Sequence, residues 1–213
     1  KIATFKSGMI PVIVLLAIVG AILLKQPDTD TFISIFLAAM GMYIVAGGKF
    51  RYFFLAVLIS FGCFFFLAQA RPYLMERVTT FFNPTANSQG AGWQIQQSQI
   101  AIGSGEMFGR GFGQSIQKFS YLPEPIGDSI FAVAAEEFGF VGGVSLIMLF
   151  LFFTLSTLRI ATQAPEPYGG LLTVGIAILI MSGSFMNIAS MLGVIPLSGL
   201  PLLFVSQGGS AMI

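Results

Sequence analysis

The sequence contains no histidine and a single cysteine, Cys63, set in an apolar run. Those absences remove imidazole general bases, His- or Cys-based metal sites, thiol redox pairs and internal disulfides from the chemistry this chain can perform. Charge is also scarce: 9% of residues are charged, whereas 55% are hydrophobic. An ordinary soluble domain carries about 25% charged residues, so water is not the main solvent here. Ten basic against nine acidic residues leave a net charge of +1, which offers no basic face for a nucleic acid. What remains for chemistry is carboxylates, Lys, Arg, Ser, Tyr or a bound ion.

Charges fall between apolar runs, and those runs have the length of membrane spans, for which roughly 20 residues suffice. Gly8 to Leu24, Thr31 to Gly48 and Tyr52 to Ala70 are uncharged. Ser129 to Leu158 is interrupted only by Glu136 and Glu137, and nothing from Tyr168 to Ile213 is charged. Gly193, Pro196, Gly199 and Pro201 divide that last stretch into a helix before Asn187, a turn region and the start of a further helix near Ser206. The pattern predicts an all-α integral membrane protein, a polytopic helix bundle forming a single membrane domain over 1–213, with five spans and a sixth cut short. The chain lacks an initial Met and stops inside an apolar stretch, so it is expected to be a piece of something longer. Lys1, Lys6, Lys49, Arg51 and Arg159 collect on one side if each span crosses; the positive-inside rule puts that side in the cytoplasm. The segment 71–127 is then a large extracytoplasmic loop.

A connector of that length carries function more often than it merely joins spans. Asn83-Pro84 marks a turn, and Trp93 to Ile100 reads as a short interfacial helix. Gly103 to Gly113 holds five glycines in neither a phosphate-loop nor a dinucleotide-binding spacing, so a compact turn against the membrane surface is expected. Glu136 and Glu137 would lie ~12 Å along a helix beginning near Asp128. Carboxylates at that depth either pair within the bundle or line a hydrated cavity. By position Asp128 reads first as a helix N-cap, for which Asp is favoured, and second as a base at the membrane–water boundary. Gln94, Gln96, Gln97, Ser98 and Gln99 form an amide-rich run suited to sugar hydroxyls, or to a solvated helix.

Several motifs in order resemble the FtsW/RodA/SpoVE family: Gln26-Pro-Asp28; Gly92-Trp-Gln-Ile-Gln-Gln-Ser98; Phe108-Gly-Arg-Gly-Phe-Gly113; Ser115-Ile-Gln-Lys118; Tyr121-Leu-Pro-Glu124; Asp128; Glu136-Glu-Phe-Gly139; Gly193-Val-Ile-Pro-Leu-Ser-Gly-Leu-Pro201; and Ser206-Gln-Gly-Gly-Ser210. The resemblance covers essentially the whole chain, as the second half of a ten-span protein of the FtsW-like branch. It implies an inverting peptidoglycan glycosyltransferase that polymerises lipid II into undecaprenyl-diphosphate-linked glycan at the bacterial cytoplasmic membrane during division. Lipid-linked precursor flipping or a non-catalytic scaffold are the rival roles. The family implies Asp128 as the catalytic residue. Arg77, Arg110 and Lys118 are candidates for diphosphate charge, alone or with a divalent cation, and Gln94, Gln97, Ser98, Glu124 and Glu137 for further substrate contacts. A single-pass class B transpeptidase, a penicillin-binding protein, is the implied partner. The chain departs from the family pattern at Ile126-Gly127 and Ser129 around the aspartate, at Asp30, and at Gln207.

Overall fold

Each apolar run bounded by charge folds as a helix. The computed structural model describes residues 5–23, 25–26, 28–83 and 90–207. A π-turn at Phe5–Met9 leads into α1 (Ile10–Leu23), followed by α2 (Thr29–Val45), α3 (Phe50–Ala70), α4 (Pro72–Phe82), α5 (Ala91–Ser104), α6 (Gln117–Ser120), α7 (Ile130–Thr162) and α8 (Pro167–Met191). Among the described residues there is no strand. Three helices, α3, α7 and α8, are long and apolar enough to cross a membrane.

The two N-terminal runs give helices of 14 residues in α1, which continues the turn at Phe5–Met9, and 17 in α2. The bounds of α2 are set locally. Asp28 Oδ1 accepts from the Thr31 amide at 3.1 Å and caps α2, and Gly47 at φ +87° turns the chain out of it. The acid of the Gln26-Pro-Asp28 motif is therefore an N-cap, a role for which Asp is favoured. At the other end, α8 continues through Asn187 to Met191 instead of ending before it. The Asn187 side chain serves tertiary hydrogen bonds, not a competing local turn. The turn region after it is present, opening at Gly193 with φ +72°. Ser206 and Gln207 are not helical, and the helix expected there falls outside the described residues beyond 207.

The chain divides into two compact units. One comprises Lys1–Ala70 and Phe152–Ser182, the other Arg71–Leu151 and Gly183–Ile213. The first is cored by Met9, Leu16, Met40, Tyr43 and Ala56. Small residues set its packing: the Gly41 and Gly175 backbones lie directly against the side chains of Ile178 and Met42. The second is cored by Phe131, Phe150, Ile188, Met191 and Leu202, with Ala101, Leu122, Ala132 and Val133 beside them.

Within the second unit, α7 is broken at Gly139, whose φ of 70° and ψ of −166° are not helical. That region is open essentially to glycine alone. In an unbroken helix the amides of Phe140 and Val141 would bond the carbonyls of Glu136 and Glu137. Here the Phe140 and Val141 amides donate to the carbonyls of Glu106 and Met107, at 2.8 and 3.2 Å. The Glu136 and Glu137 carbonyls accept from the amides of Arg110 and Gly111, both at 3.0 Å. The glycine-rich turn thus inserts its backbone into the opening in α7. It fits because Gly105 and Gly109 lack Cβ atoms: one at Gly105 would overlap the Ala135 carbonyl, and one at Gly109 the Glu137 carbonyl. The expected compact turn exists, and its seat is another helix's backbone.

Gly139→Ala is expected to cost roughly 1–3 kcal/mol of stability from backbone strain alone. A further loss follows because its Cβ would crowd the Met107 carbonyl and the Gly109 amide. Thermal unfolding of the purified protein in detergent measures this, and an unchanged midpoint would contradict the docking of turn on helix.

Candidate functional site

Two polar clusters sit on the first turns of α7, and both belong to the second unit. The first answers how two adjacent acids are tolerated in an apolar helix. Glu136, 1% exposed, accepts from Ser115 Oγ at 2.5 Å, the Ile116 amide at 3.1 Å and the Gln117 amide at 3.3 Å. Arg110 Nε lies 3.6 Å from its other side. Glu137, about 100° further round the helix, pairs with Lys118 Nζ at 2.5 Å. The adjacent acids therefore have separate partners, all supplied by the turn 110–118. Breaking a buried ion pair from one side costs several kcal/mol, so this cluster fastens the turn to α7.

The second cluster surrounds Asp128. Tyr121-Leu-Pro-Glu124 leads into a tight turn in which the Gly127 and Ser129 amides both donate to the Glu124 carbonyl at 3.1 Å. Glu124 adopts φ +46°, a left-handed conformation that is sparsely populated for residues other than glycine. Ser129 is buried, donates to the Pro123 carbonyl at 2.9 Å and accepts from Gln94 Nε2 of α5 at 3.0 Å. Helix α7 then begins at Ile130, two residues after Asp128.

Three successive carbonyls of this turn are held from α8 and the segment following it. Ile126 C=O accepts from the Gln207 amide at 2.8 Å, Gly127 C=O from Ser206 Oγ at 2.7 Å, and Asp128 C=O from Asn187 Nδ2 at 2.6 Å. Asn187 also donates to Leu200 C=O at 2.7 Å, and Ser206 Oγ accepts from the Leu202 amide at 2.8 Å. The Asp128 carboxylate lies against Gly199, where a Cβ would stand 3.9 Å from Oδ2. The Gly193–Pro201 motif and Ser206 thus form one wall of the site.

The other sequence candidates distribute unevenly. Gln94 reaches the Asp128 turn through Ser129, and Glu124 forms the turn itself. Gln97 is buried on α5, and Ser98, fully enclosed, donates to the Gln94 carbonyl at 2.8 Å and touches Met191 Sδ at 3.2 Å. Arg110, Lys118 and Glu137 belong to the acid cluster. Arg77 lies on α4 with its guanidinium carbon 5.9 Å over the Tyr73 ring. Trp93, on a longer helix than expected, donates to the Tyr121 carbonyl at 3.0 Å. Among the described residues no three carboxylates or thiols converge in a way that could hold a metal ion, so the donors present do not form a divalent-cation cage.

The family model for cell cycle proteins of the FtsW/RodA/SpoVE type matches residues 1–213. The chain belongs to this family. It is 39% identical over 212 residues to stage V sporulation protein E of Bacillus subtilis, covering 100% of this chain and 58% of that protein. It is 38% identical over 213 residues to a probable peptidoglycan glycosyltransferase FtsW of Geobacter sulfurreducens, covering 100% and 57% respectively. The chain therefore spans little more than half the length of the curated relatives it matches. Among solved structures, it resembles a chain of a peptidoglycan synthase complex, studied for the coordination of polymerization and crosslinking, with a TM-score of 0.71 at 25% identity over 96% of this chain and 57% of that one. A mutant of the rod shape determining protein RodA of Thermus thermophilus shares the fold, with a TM-score of 0.59 at 23% identity over 95% and 52%. Family membership and three long apolar helices make this a membrane protein.

For a member of the FtsW/RodA/SpoVE family, the departures Ile126-Gly127 and Gln207 acquire a structural meaning. Gln207 and Ile126 bond through their backbones, so side-chain changes there leave the contact intact. Sequence reasoning missed Asn187 and Ser206 as site residues. The available signal was a carboxamide in a stretch without charge, since a buried amide is costly unless hydrogen-bonded. Asn187→Leu removes both donors and leaves the Asp128 and Leu200 carbonyls unpaired, each at about 1–3 kcal/mol. A lowered unfolding midpoint in detergent is expected, with Asn187→Asp less damaged than Asn187→Leu when its carboxyl is protonated at low pH. Equal stability of Asn187→Leu and the parent would remove Asn187 from the site.

Proposed function

We propose that the protein containing this chain polymerises lipid II into glycan strands for septal wall synthesis, with Asp128 as general base. The observation that carries the proposal is the Asp128 turn: an acid directly after Tyr121-Leu-Pro-Glu124, anchored by three carbonyl hydrogen bonds, in a chain that belongs to the FtsW/RodA/SpoVE family. The names of its relatives, probable peptidoglycan glycosyltransferases, support the reaction class.

In the reaction, Asp128 takes the proton of an acceptor sugar hydroxyl as that oxygen attacks the anomeric carbon of the lipid-linked donor. The bond from that carbon to the diphosphate oxygen breaks with inversion, and undecaprenyl diphosphate departs carrying the electron pair. No histidine of this chain competes for the proton. Arg77, Arg110 and Lys118 remain the candidates for the departing charge. Arg110 is suited to it, because its side chain stays 40% exposed while it faces Glu136, and fixed cations act strongly on charge that develops in the transition state. Gln94, Gln97, Ser98, Glu124 and Glu137 complete the proposed substrate side, several of them by shaping the wall and not by direct contact. The internal pairing of Glu136 and Glu137 removes the motive for reading them as a transport path. The reading also includes a multi-pass topology in the bacterial cytoplasmic membrane, a single membrane domain continuing beyond this chain, and a single-pass transpeptidase partner.

Two measurements test the proposal. Asp128→Asn keeps size and hydrogen bonding but cannot accept the proton. In the full-length protein it is expected to lower glycan synthesis from purified lipid II by roughly 10²–10⁴-fold, with unchanged thermal stability. Near-parental synthesis would leave Asp128 a structural turn residue.

Topology is tested with single cysteines at Glu76, which is exposed, and at Lys49, in a background lacking Cys63. The extracytoplasmic reading of 71–127 expects an impermeant thiol reagent to label position 76, not position 49, in cells whose outer barrier has been opened. The reverse pattern would invert the orientation and move the site to the cytoplasm.

A further inference from the structure

Helix α7 is too long for the membrane it crosses. It numbers 33 residues, whereas a hydrocarbon core of about 30 Å takes roughly 20 residues. The chain holds one stretch of that length within it. Gly139 to Leu158, between the acid pair and Arg159, is twenty residues without a charge. The helix changes character at the same point. Before it, Phe131, Ala132, Val133, Ala135, Glu136 and Glu137 are buried in protein; after it, Phe140, Met148, Leu149, Phe152 and Leu155 turn outward.

The glycine-rich turn bonds α7 at 136–141 and so sits at that same level. Its rings point away from the protein: Phe108 is 82% exposed, Phe112 83% and Phe119 75%. They are continuous with the outward face of α7, because the Phe112 ring lies 6.0 Å from that of Phe138. The cations of the turn stand among them, with Lys118 Nζ 5.1 Å from the Phe119 ring centre. Rings flanked by basic groups at the end of an apolar span are the composition of a membrane–water interface, where aromatic bodies meet the acyl chains and cations meet phosphate.

We propose that the turn Met107–Tyr121 is a lipid-binding platform. Phe108, Phe112 and Phe119 seat in the acyl–headgroup boundary of a phospholipid leaflet, and the hydrocarbon crossing of α7 begins at Gly139, not at its first residue. Glu136 and Glu137 then lie at headgroup level, where their ion pairs need no cavity within the bilayer. Bending the helix at the boundary also explains why the break and the polar turn coincide. This proposal does not depend on the catalytic reading of Asp128.

The test uses nitroxide labels on single cysteines in the full-length protein, with its other cysteines replaced, in phosphatidylcholine–phosphatidylglycerol nanodiscs. Oxygen, which partitions into lipid, and a water-soluble nickel chelate compete as relaxants. At positions 108, 112 and 119, oxygen accessibility is expected to exceed nickel accessibility several-fold. Ile116, also exposed, serves should one of those variants fail to fold. Along the outward face of α7 the oxygen-to-nickel ratio is expected to rise from Phe138 to a maximum at Met148 and Leu149, the middle of the uncharged run. Nickel access equal to oxygen at the turn, which signals water, overturns the proposal. So does low access to both reagents, which signals a covering protein, or a depth maximum near Val144, the centre of a span that begins at Ile130.

Discussion

A helix broken in apolar surroundings leaves backbone donors and acceptors that must find partners, and in this chain the rest of the second unit is arranged around that requirement. At Gly139 the opening in α7 exposes the amides of 140 and 141 and the carbonyls of 136 and 137, and the turn 106–111 satisfies all four. Unpaired peptide groups away from water cost several kcal/mol each, so turn and helix are obligate partners. The same requirement dictates composition. Only glycine permits the approach at Gly105 and Gly109, and only glycine adopts the conformation at Gly139. The side chains repeat the arrangement one step along, where Glu136 and Glu137 take partners from 110–118. A run that resembles a ligand-binding loop in composition is thus explained by a backbone vacancy in its neighbour.

Both the clarity and the limits of the sequence reading follow from this. The apolar runs, the turn at Gly193, and the absence of strands among the described residues were legible, because run length and Gly/Pro punctuation are local signals; the turn expected at Asn83-Pro84 runs outside the described residues. The cap of α2 was not read from the sequence, where Asp28 stood only as part of a motif, although Asp is a favoured N-cap residue. The partners of Glu136 and Glu137 were not legible. They lie about twenty positions earlier, and nothing in the spacing of Ser115, Lys118 and the two acids announces that a broken helix brings them together. The expected end of α8 before Asn187 failed for the same reason. A carboxamide in an apolar helix ends it only when the side chain bonds its own backbone, whereas Asn187 reaches carbonyls 59 and 13 positions away.

The site inherits its geometry from both clusters. From Ser129 to Glu136 is about two helical turns, roughly 10 Å, and the intervening residues are mostly buried. That short rod is held at one end by the turn 106–118. At the other it is held by Gln94 on Ser129 and by Asn187, Ser206 and Gln207 on three consecutive carbonyls. Anchoring through peptide carbonyls leaves the identity of most side chains in the Asp128 turn open to change, which is why the departures at Ile126-Gly127 are compatible with the fold.

Such an arrangement bears on the proposed role of Asp128 through position more than through acidity. A base that must meet a hydroxyl at hydrogen-bond distance is effective only within a narrow range of geometry, and an ångström of displacement is worth about a hundredfold in rate. A turn fixed by local bonds alone would leave Asp128 without anchors from distant parts of the chain. Cross-linking it to α5, to α8 and to the segment after α8 replaces that freedom with contacts from three distant parts of the sequence. The left-handed backbone at Glu124, and again at Phe204 in the facing segment, is the local strain these contacts sustain. Strain of this kind persists where surrounding structure over-determines the conformation. The two strained residues stand on either side of the hydrogen bonds that tie Ile126, Gly127 and Asp128 to Gln207, Ser206 and Asn187, so the strain lies at the proposed catalytic turn and not at the lipid-facing ends of the helices.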